Sequence, residues 1–331
     1  MDPLFNALLV TEKEGEYVKE INQVTVDQLP ENDLLIKVSY SSINYKDALS
    51  ASGNKGVTRK FPHVPGIDAS GIIVRSNTNI FSVGDKVLVT GFDLGMNTWG
   101  GFGEYISVPA AWVLKLPKKL LLRDAMAFGT AGLTAGLSVY QLINAGLNPD
   151  KGEVVVSGAT GGVGSIATAI LAKLGFNIAA VSGKKDDGYL LGTLGAKRII
   201  TREDFIAEYD SKSVSTPTFA AGIDTVGGPT LSGMLKAMKY GATVASCGMV
   251  SANELNTSIF PFILRGICLA GIDSVQAPMP LRSQVWNLLA TGWRPANLNQ
   301  MITEITLHDL PAKLNEVLHG QAKGRYVLAY R

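Results

Sequence analysis

The sequence predicts an α/β protein in which a doubly wound parallel sheet is inserted into a β-rich domain built like a small barrel or sandwich. Three observations lead there. From about residue 4 to 117, short β-prone runs such as 34–40, 71–74 and 85–89 are separated by Gly, Pro, Asn and Asp, the pattern of strands joined by tight turns. From about 124, helical stretches at 124–145 and 162–174 alternate with apolar β runs at 153–156 and 177–181, and that alternation gives parallel strands with crossover helices. After about 272 the elements are mixed, with helical pieces at 281–291 and 310–319 and β runs at 302–305 and 326–330, which suits a return to the first domain. The expected division is therefore 1–123, 124–272 and 273–331, the first and last parts forming one domain.

Bulk properties agree with two folded domains and narrow the function classes. A chain of 331 residues exceeds the size at which a single core stops growing. Its 46% hydrophobic and 18% charged residues are those of a globular protein. The 30 basic and 28 acidic side chains leave a net charge of +2 without a run of one sign, which disfavours nucleic-acid binding. The first residues, Met1 to Asn6, lack a basic segment followed by a long apolar one, and long apolar stretches are interrupted by Lys, Gly or Asn. No membrane span and a cytoplasmic location are expected.

Two cysteines, Cys247 and Cys268, lie in apolar runs and are expected to be reduced core thiols. His63, His308 and His319 are far apart and have no ligand spacing with each other or with a cysteine, so no zinc site is expected.

The most specific local feature is the β run at 154–156 passing through Ser157-Gly158-Ala159-Thr160-Gly161-Gly162-Val163-Gly164 into a helix. Ala159, Gly161 and Gly164 occupy the three small positions of a dinucleotide fingerprint. Gly161 lets backbone approach a pyrophosphate, Gly164 lets helix and strand pack closely, and the helix N-terminus offers amides to phosphate. The turn residues Ala159 to Gly164 are thus cofactor-binding candidates. About 20 residues on, an acid would select NAD, but the sequence has Ser182-Gly183-Lys184-Lys185. Ser182 can donate to a 2′-phosphate and Lys184 can neutralise it, so NADPH is the expected cofactor. Lys185 reads equally well as a surface charge. Asp186 and Asp187 read as capping residues of a helix over 187–194 rather than as the NAD-selecting acid.

Beside the glycine-rich turn, the runs Gly129-Thr130-Ala131-Gly132-Leu133-Thr134-Ala135 and Ile223-Asp224-Thr225-Val226-Gly227-Gly228 resemble the medium-chain dehydrogenase/reductase superfamily over the full length. Ser42-Ile43-Asn44-Tyr45-Lys46-Asp47-Ala48, Pro65 to Gly71, Pro261 to Gly266 and Gly271 to Ser274 resemble its acryloyl-CoA reductase branch, whose members are also labelled quinone oxidoreductases (YhdH/YhfP type). The resemblance implies a GroES-like catalytic domain, an inserted NAD(P)-binding Rossmann domain, a cleft active site and a homodimer joined through Rossmann edges. Zinc alcohol dehydrogenases carry Gly-His-Glu where this chain has Gly66-Ile67-Asp68, so the resemblance implies chemistry without metal. It further implies cofactor contacts from Tyr45, Arg198, Met249, Ile263 and Ser274. On the sequence alone Arg198 reads as well as an exposed charge, and Met249 and Ile263 as core.

Hydride transfer to an electron-poor carbon without metal needs an acceptor conjugated to a carbonyl, a held geometry and a proton donor. The catalytic candidates are Tyr45, which orients the nicotinamide or donates the proton, and Asn44, which positions the carboxamide or the substrate carbonyl. Packing alone would also account for Tyr45, a local ion pair for Lys46 and Asp47, and backbone hydrogen bonds for Asp68. The expected activity is NADPH-dependent reduction of acryloyl-CoA or a related enoyl-CoA. The alternatives are an NADPH:quinone oxidoreductase and, in another class, a noncatalytic NADPH-binding sensor.

Overall fold

The computed structural model describes residues 4–184 and 186–330, so Lys185 lies outside the described residues. The chain divides into two compact units, Met1–Thr130 with Ile302–Arg331 and Ala131–Met301. This differs from the expected return at 273. Residues 273–301 pack within the second unit, where Val285, Trp286 and Leu289 are buried and the Thr134 hydroxyl donates to Ser274 Oγ at 2.7 Å. Arg282, 1% exposed, donates to the carbonyls of Ser274 and Ala277.

Along the first unit run β1 (Leu4–Lys13), β2 (Glu16–Thr25), β3 (Leu34–Ser42), α1 (Tyr45–Ala51), β4 (Asp68–Ser76), β5 (Lys86–Thr90), β6 (Tyr105–Val108) and β7 (Val113–Lys115). Then α2 (Leu122–Asn144) begins, broken at Gly129, which has φ +54°. By length and composition α2 could cross a bilayer, an apolar stretch not expected from the sequence, but 78% of its apolar window is buried inside the fold. It is a core helix.

The second unit continues with β8 (Val154–Ser157), α3 (Gly162–Lys173), β9 (Ile178–Ser182), β10 (Arg198–Thr201), α4 (Arg202–Tyr209), β11 (Phe219–Asp224), α5 (Gly228–Lys236), β12 (Met238–Ser246), α6 (Phe260–Arg265), β13 (Cys268–Gly271) and α7 (Met279–Ala290). The chain returns to the first unit with β14 (Ile302–Ile305), α8 (Leu310–Leu318) and β15 (Arg325–Ala329).

In the second unit the strands form one parallel sheet in the order β10-β9-β8-β11-β12-β13. Its central strands β8, β9 and β11 are buried at every residue, because helices cover both faces and no solvated face exists to demand alternation. The order reverses between β8 and β11, and crevices of this kind open at the carboxyl ends of the strands there. The expected doubly wound sheet is present.

The first unit holds the β1/β2 hairpin and a seven-stranded sheet in the order β14-β15-β3-β4-β5-β7, with β6 also paired to β3. Here pairing is antiparallel except between β14 and β15. The last strand thus lies beside β3, whose end leads into Asn44 and Tyr45.

The cysteines correct an expectation. Cys268 is exposed and Cys247 half-buried. An apolar run predicts a strand but not its place in the sheet, and β13 is the outermost strand, paired only with β12. Burial beside Asp224 pushes the Cys247 thiol up to about 12.

Candidate active site

The glycine-rich turn joins β8 to α3. Gly158 is left-handed at φ +59°. A Cβ on Gly164 would stand 2.3 Å from the Gly158 carbonyl oxygen, so only glycine lets α3 start this close to the turn. Gly161 caps α3 with no side-chain hydrogen bond, and no acidic residue lies in the first turn. The amide end therefore keeps its partial positive charge for an anion. Beneath the turn, Asp224 accepts from Ser157 Oγ at 2.7 Å, the Gly227 amide at 2.9 Å and Ser246 Oγ at 3.2 Å. These bonds tie β8, β11 and β12 together under the turn.

Ser182 ends β9 and accepts from the Lys184 amide at 2.9 Å. Parallel register puts Ser182 opposite Thr201, so the next residue, Arg202, comes alongside. A Cβ on Gly183 would lie 2.9 Å from Arg202 Nη2. Ser182, Gly183, Lys184 and Arg202 thus gather at the carboxyl edge of the sheet, and Arg202 is a candidate that sequence reasoning missed.

Arg198 goes the other way. It begins β10, and its guanidinium makes a two-pronged pair with Glu153, with Nε–Oε1 at 2.9 Å and Nη2–Oε2 at 2.7 Å. Glu153 immediately precedes β8. Arg198 is therefore at the amino end of the sheet, about 13 Å of strand from the carboxyl edge. The geometry does not bring it to the turn. A cavity of about 250 Å³ lined by Leu142, Lys151, Lys239 and Tyr240 also lies at this end, away from the turn.

Of the remaining candidates, Met249 and Ile263 are 71% and 64% exposed, which excludes a core role, and Ser274 is buried against Thr134. Asp186 Oδ1 accepts from the Tyr189 amide at 3.0 Å at the head of a short helical turn over Gly188–Thr193. That bond matches the capping reading for Asp186, whereas Asp187, the N-cap residue, makes no side-chain capping bond.

In the first unit, β3 delivers Ser42, Asn44 and Tyr45 to one end of the sheet, where β4 begins with Asp68. Asp68 is fully buried and accepts from Ser42 Oγ, Asn44 Nδ2 and the Thr130 hydroxyl at 2.7, 2.7 and 2.6 Å. Arg325, from β15, places Nη2 at 3.7 Å from Asp68 and donates to Ser42 Oγ at 2.8 Å and to Asn44 Oδ1 at 3.2 Å. Both ends of the Asn44 amide are thereby engaged, so within this unit Asn44 acts as a fixed strut beneath the Tyr45 backbone. Asp68 does more than hydrogen-bond backbone, since its partners are mainly side chains. Tyr45 is 41% exposed, and among the described residues its hydroxyl has no hydrogen-bond partner.

Asp47 does not pair with Lys46. Its buried carboxyl accepts from the amides of Asn44, Gly66 and Ile67 at 2.7, 3.1 and 2.8 Å, pinning α1 to the segment before β4. Burial, then the nearby Asp68 charge, push its carboxyl up to about 7, against the pull of those amides. An acid raised on folding is ionised earlier in the unfolded chain, so this group removes stability as pH rises from about 4 to about 7. In urea titrations across that window, Asp47→Asn is expected to flatten the fall; an unchanged slope would place the titration elsewhere.

The chain is 42% identical over 327 residues to acrylyl-CoA reductase AcuI of Ruegeria pomeroyi, covering 98% of this chain and 99% of that protein. It is a medium-chain dehydrogenase/reductase. Two family models match this dehydrogenase/reductase, the alcohol dehydrogenase GroES-like domain over residues 30–118 and the zinc-binding dehydrogenase over 162–291. Its fold superposes with a TM-score of 0.95 on the yhdH oxidoreductase from Salmonella enterica in complex with NADP, at 40% identity and covering 98% and 100% of the two chains. The Bacillus subtilis protein yhfP with NAD bound gives a TM-score of 0.95 at 39% identity, with 99% and 100% covered. Among the described residues no group of three or more His, Cys, Asp or Glu is placed to hold a metal ion.

Proposed function

We propose that this medium-chain dehydrogenase/reductase is an NADPH-dependent, zinc-independent reductase of carbon–carbon double bonds conjugated to a carbonyl, with acryloyl-CoA or a related enoyl thioester as its acceptor. The observation that carries the reading is Arg202 standing beside Ser182-Gly183-Lys184 at the edge of the sheet that carries the glycine-rich turn. Two cationic side chains and a hydroxyl suit the extra phosphate of NADPH, while the amide end of α3, which Gly164 lets start close against the turn, suits its pyrophosphate. Relatives of known structure with NADP and with NAD bound accord with a dinucleotide, and the relative named acrylyl-CoA reductase accords with the acceptor.

When bound, the reduced nicotinamide supplies the hydride. In the first unit the exposed Tyr45 phenol is the group available to give a proton or orient a ring, and the Asn44–Asp68–Arg325 network holds its backbone. That network also supports the zinc-free reading. Gly66-Ile67-Asp68 stand where zinc alcohol dehydrogenases carry Gly-His-Glu, and here the Asp68 oxygens are taken by Ser42, Asn44 and Thr130. The test is NADPH oxidation with acryloyl-CoA, crotonyl-CoA and a set of quinones, acryloyl-CoA being expected to give the highest kcat/KM. A preference for quinones would assign a quinone reductase, and tight NADPH binding without turnover of any acceptor would assign a sensor. Tyr45→Phe is expected to lower kcat about 100-fold if the phenol gives the proton; full turnover with unchanged NADPH affinity would remove the hydroxyl from the chemistry.

A homodimer through the outer edge of the second unit belongs to the same proposal. There β13 has one free edge, and Ile259, Phe260, Ile263 and Leu264 are exposed nearby, an apolar set that a second copy would cover. Leu264→Asp is expected to shift sedimentation from dimer to monomer, and a wild-type monomer at micromolar concentration would reject the interface.

A further inference from the structure

We propose that Phe92, stacked on Trp112, is the platform that receives the planar conjugated part of the acceptor, and that this pair sets which acceptors the enzyme takes. The proposal rests on the reductase reading above. Among the described residues only two besides glycine have positive φ, Glu14 at 52° and Phe92 at 54°. Glu14 sits with Gly15 in the tight turn between β1 and β2, where such a backbone is routine. Phe92 follows the left-handed Gly91 in a turn as well, but it is a bulky aromatic outside any two-residue hairpin. A bulky side chain is strained in the left-handed region, and strain of this kind persists where the surroundings impose it, most often at a functional site.

The surroundings do impose it. Just before it, the Gly91 amide donates to the Ile67 carbonyl at 3.1 Å, fixing the loop to the residue preceding Asp68. Just after it, Asp93 accepts from Asn97 Nδ2 at 2.9 Å and Thr98 Oγ1 at 3.2 Å, closing the loop on itself. Held this way, the Phe92 ring lies over Trp112 with centroids 5.6 Å apart and planes 4° from parallel. Trp112 packs against the apolar core of the seven-stranded sheet, so the stack has a rigid base. Neither ring is buried. A phenylalanine kept for core stability would be enclosed and relaxed, whereas this one is strained and partly accessible.

Register fixes where the platform stands. Asp68 pairs with Thr90, and Val89 pairs with Val113. Phe92 and Trp112 therefore lie just beyond the end of the sheet at which Asn44, Tyr45 and Asp68 are found. Aromatic rings stack best on flat, polarisable partners, and a carbonyl conjugated to a double bond, or a quinone ring, is flat. A ring acceptor covers more of the platform than a three-carbon acryloyl group.

The test is Phe92→Gly, which removes the ring and relieves the backbone at once. Steady-state rates with a naphthoquinone and with acryloyl-CoA are measured beside NADPH affinity and melting temperature. The proposal expects KM for the naphthoquinone to rise about 10-fold with kcat little changed, a distinctly smaller rise in KM for acryloyl-CoA, unchanged NADPH affinity and no loss of melting temperature. Phe92→Leu, which keeps apolar bulk but not the flat ring, is expected to fall between. A fall in melting temperature with the ratio of the two KM values unchanged would show a purely structural ring and overturn the proposal, as would wild-type kinetics in Phe92→Gly. If the wild-type protein reduced neither acceptor, the reductase reading itself would fail, a result distinct from an active wild type whose selectivity ignores Phe92.

Discussion

Arg325→Met is expected to lower the melting temperature by about 10 °C, the largest stability effect of any single change considered. The guanidinium is 4% exposed and is the cation facing two buried carboxyls, Asp68 and Asp47. Burial lowers its own affinity for a proton while both carboxyls raise it. Removing one partner of a buried charged set costs about 3–5 kcal/mol because the other charge is left uncompensated, and about 2–4 °C accompany each kcal/mol in a unit of this size. The Ser42 hydroxyl, the Ile43 carbonyl and Asn44 Oδ1 also lose their donor. Arg325→Lys keeps the charge but not the fork, so its expected effect is smaller. Calorimetry of the purified variants checks both, and a methionine variant as stable as the wild type would refute this role of the guanidinium.

Arg202→Ala is expected to weaken NADPH binding about 10- to 100-fold while leaving NADH binding unchanged. A charge-assisted hydrogen bond to phosphate contributes about 1.5–3 kcal/mol, which converts to that range of Kd. The comparison of the two dinucleotides by fluorescence titration is the informative part, because they differ only at the phosphate that Arg202 would meet. Equal weakening of both, or of neither, would refute the assignment. Arg198→Ala serves as the contrast. Its guanidinium is committed to Glu153 at the far end of the sheet, and no dinucleotide effect is expected.

The pair Arg198 and Arg202 shows how far a sequence can be read. A β run followed by a helix places both arginines at the ends of β10, but only the parallel register with β9 tells which end meets Ser182. The glycine-rich turn needs no such information, since strand, turn and helix are contiguous and each glycine answers a local steric demand. Asn44 was legible as a neighbour of Tyr45, yet its partners Asp68 and Arg325 are 24 and 281 residues away, and without them its amide looked available to a ligand. Cys268 failed for a related reason, because hydrophobicity marks a strand while topology decides whether it lies at an edge. The break of α2 falls at Gly129 while Gly132 and Gly136 of the same stretch stay helical, so a glycine alone does not tell where the helix breaks.

The position of Arg325 on β15 bears on how the protein is made. The first unit is assembled from segments on both sides of the second, and the guanidinium that faces Asp47 and Asp68 is encoded after the whole parallel sheet. Until then the segment carrying Asp47 and Asp68 lacks the donor that Arg325 gives to Ser42, Ile43 and Asn44, whereas the intervening parallel sheet is encoded entirely before that point. Synthesis therefore favours maturation of the parallel sheet first, with the Tyr45 region locked into shape only once β15 has been made.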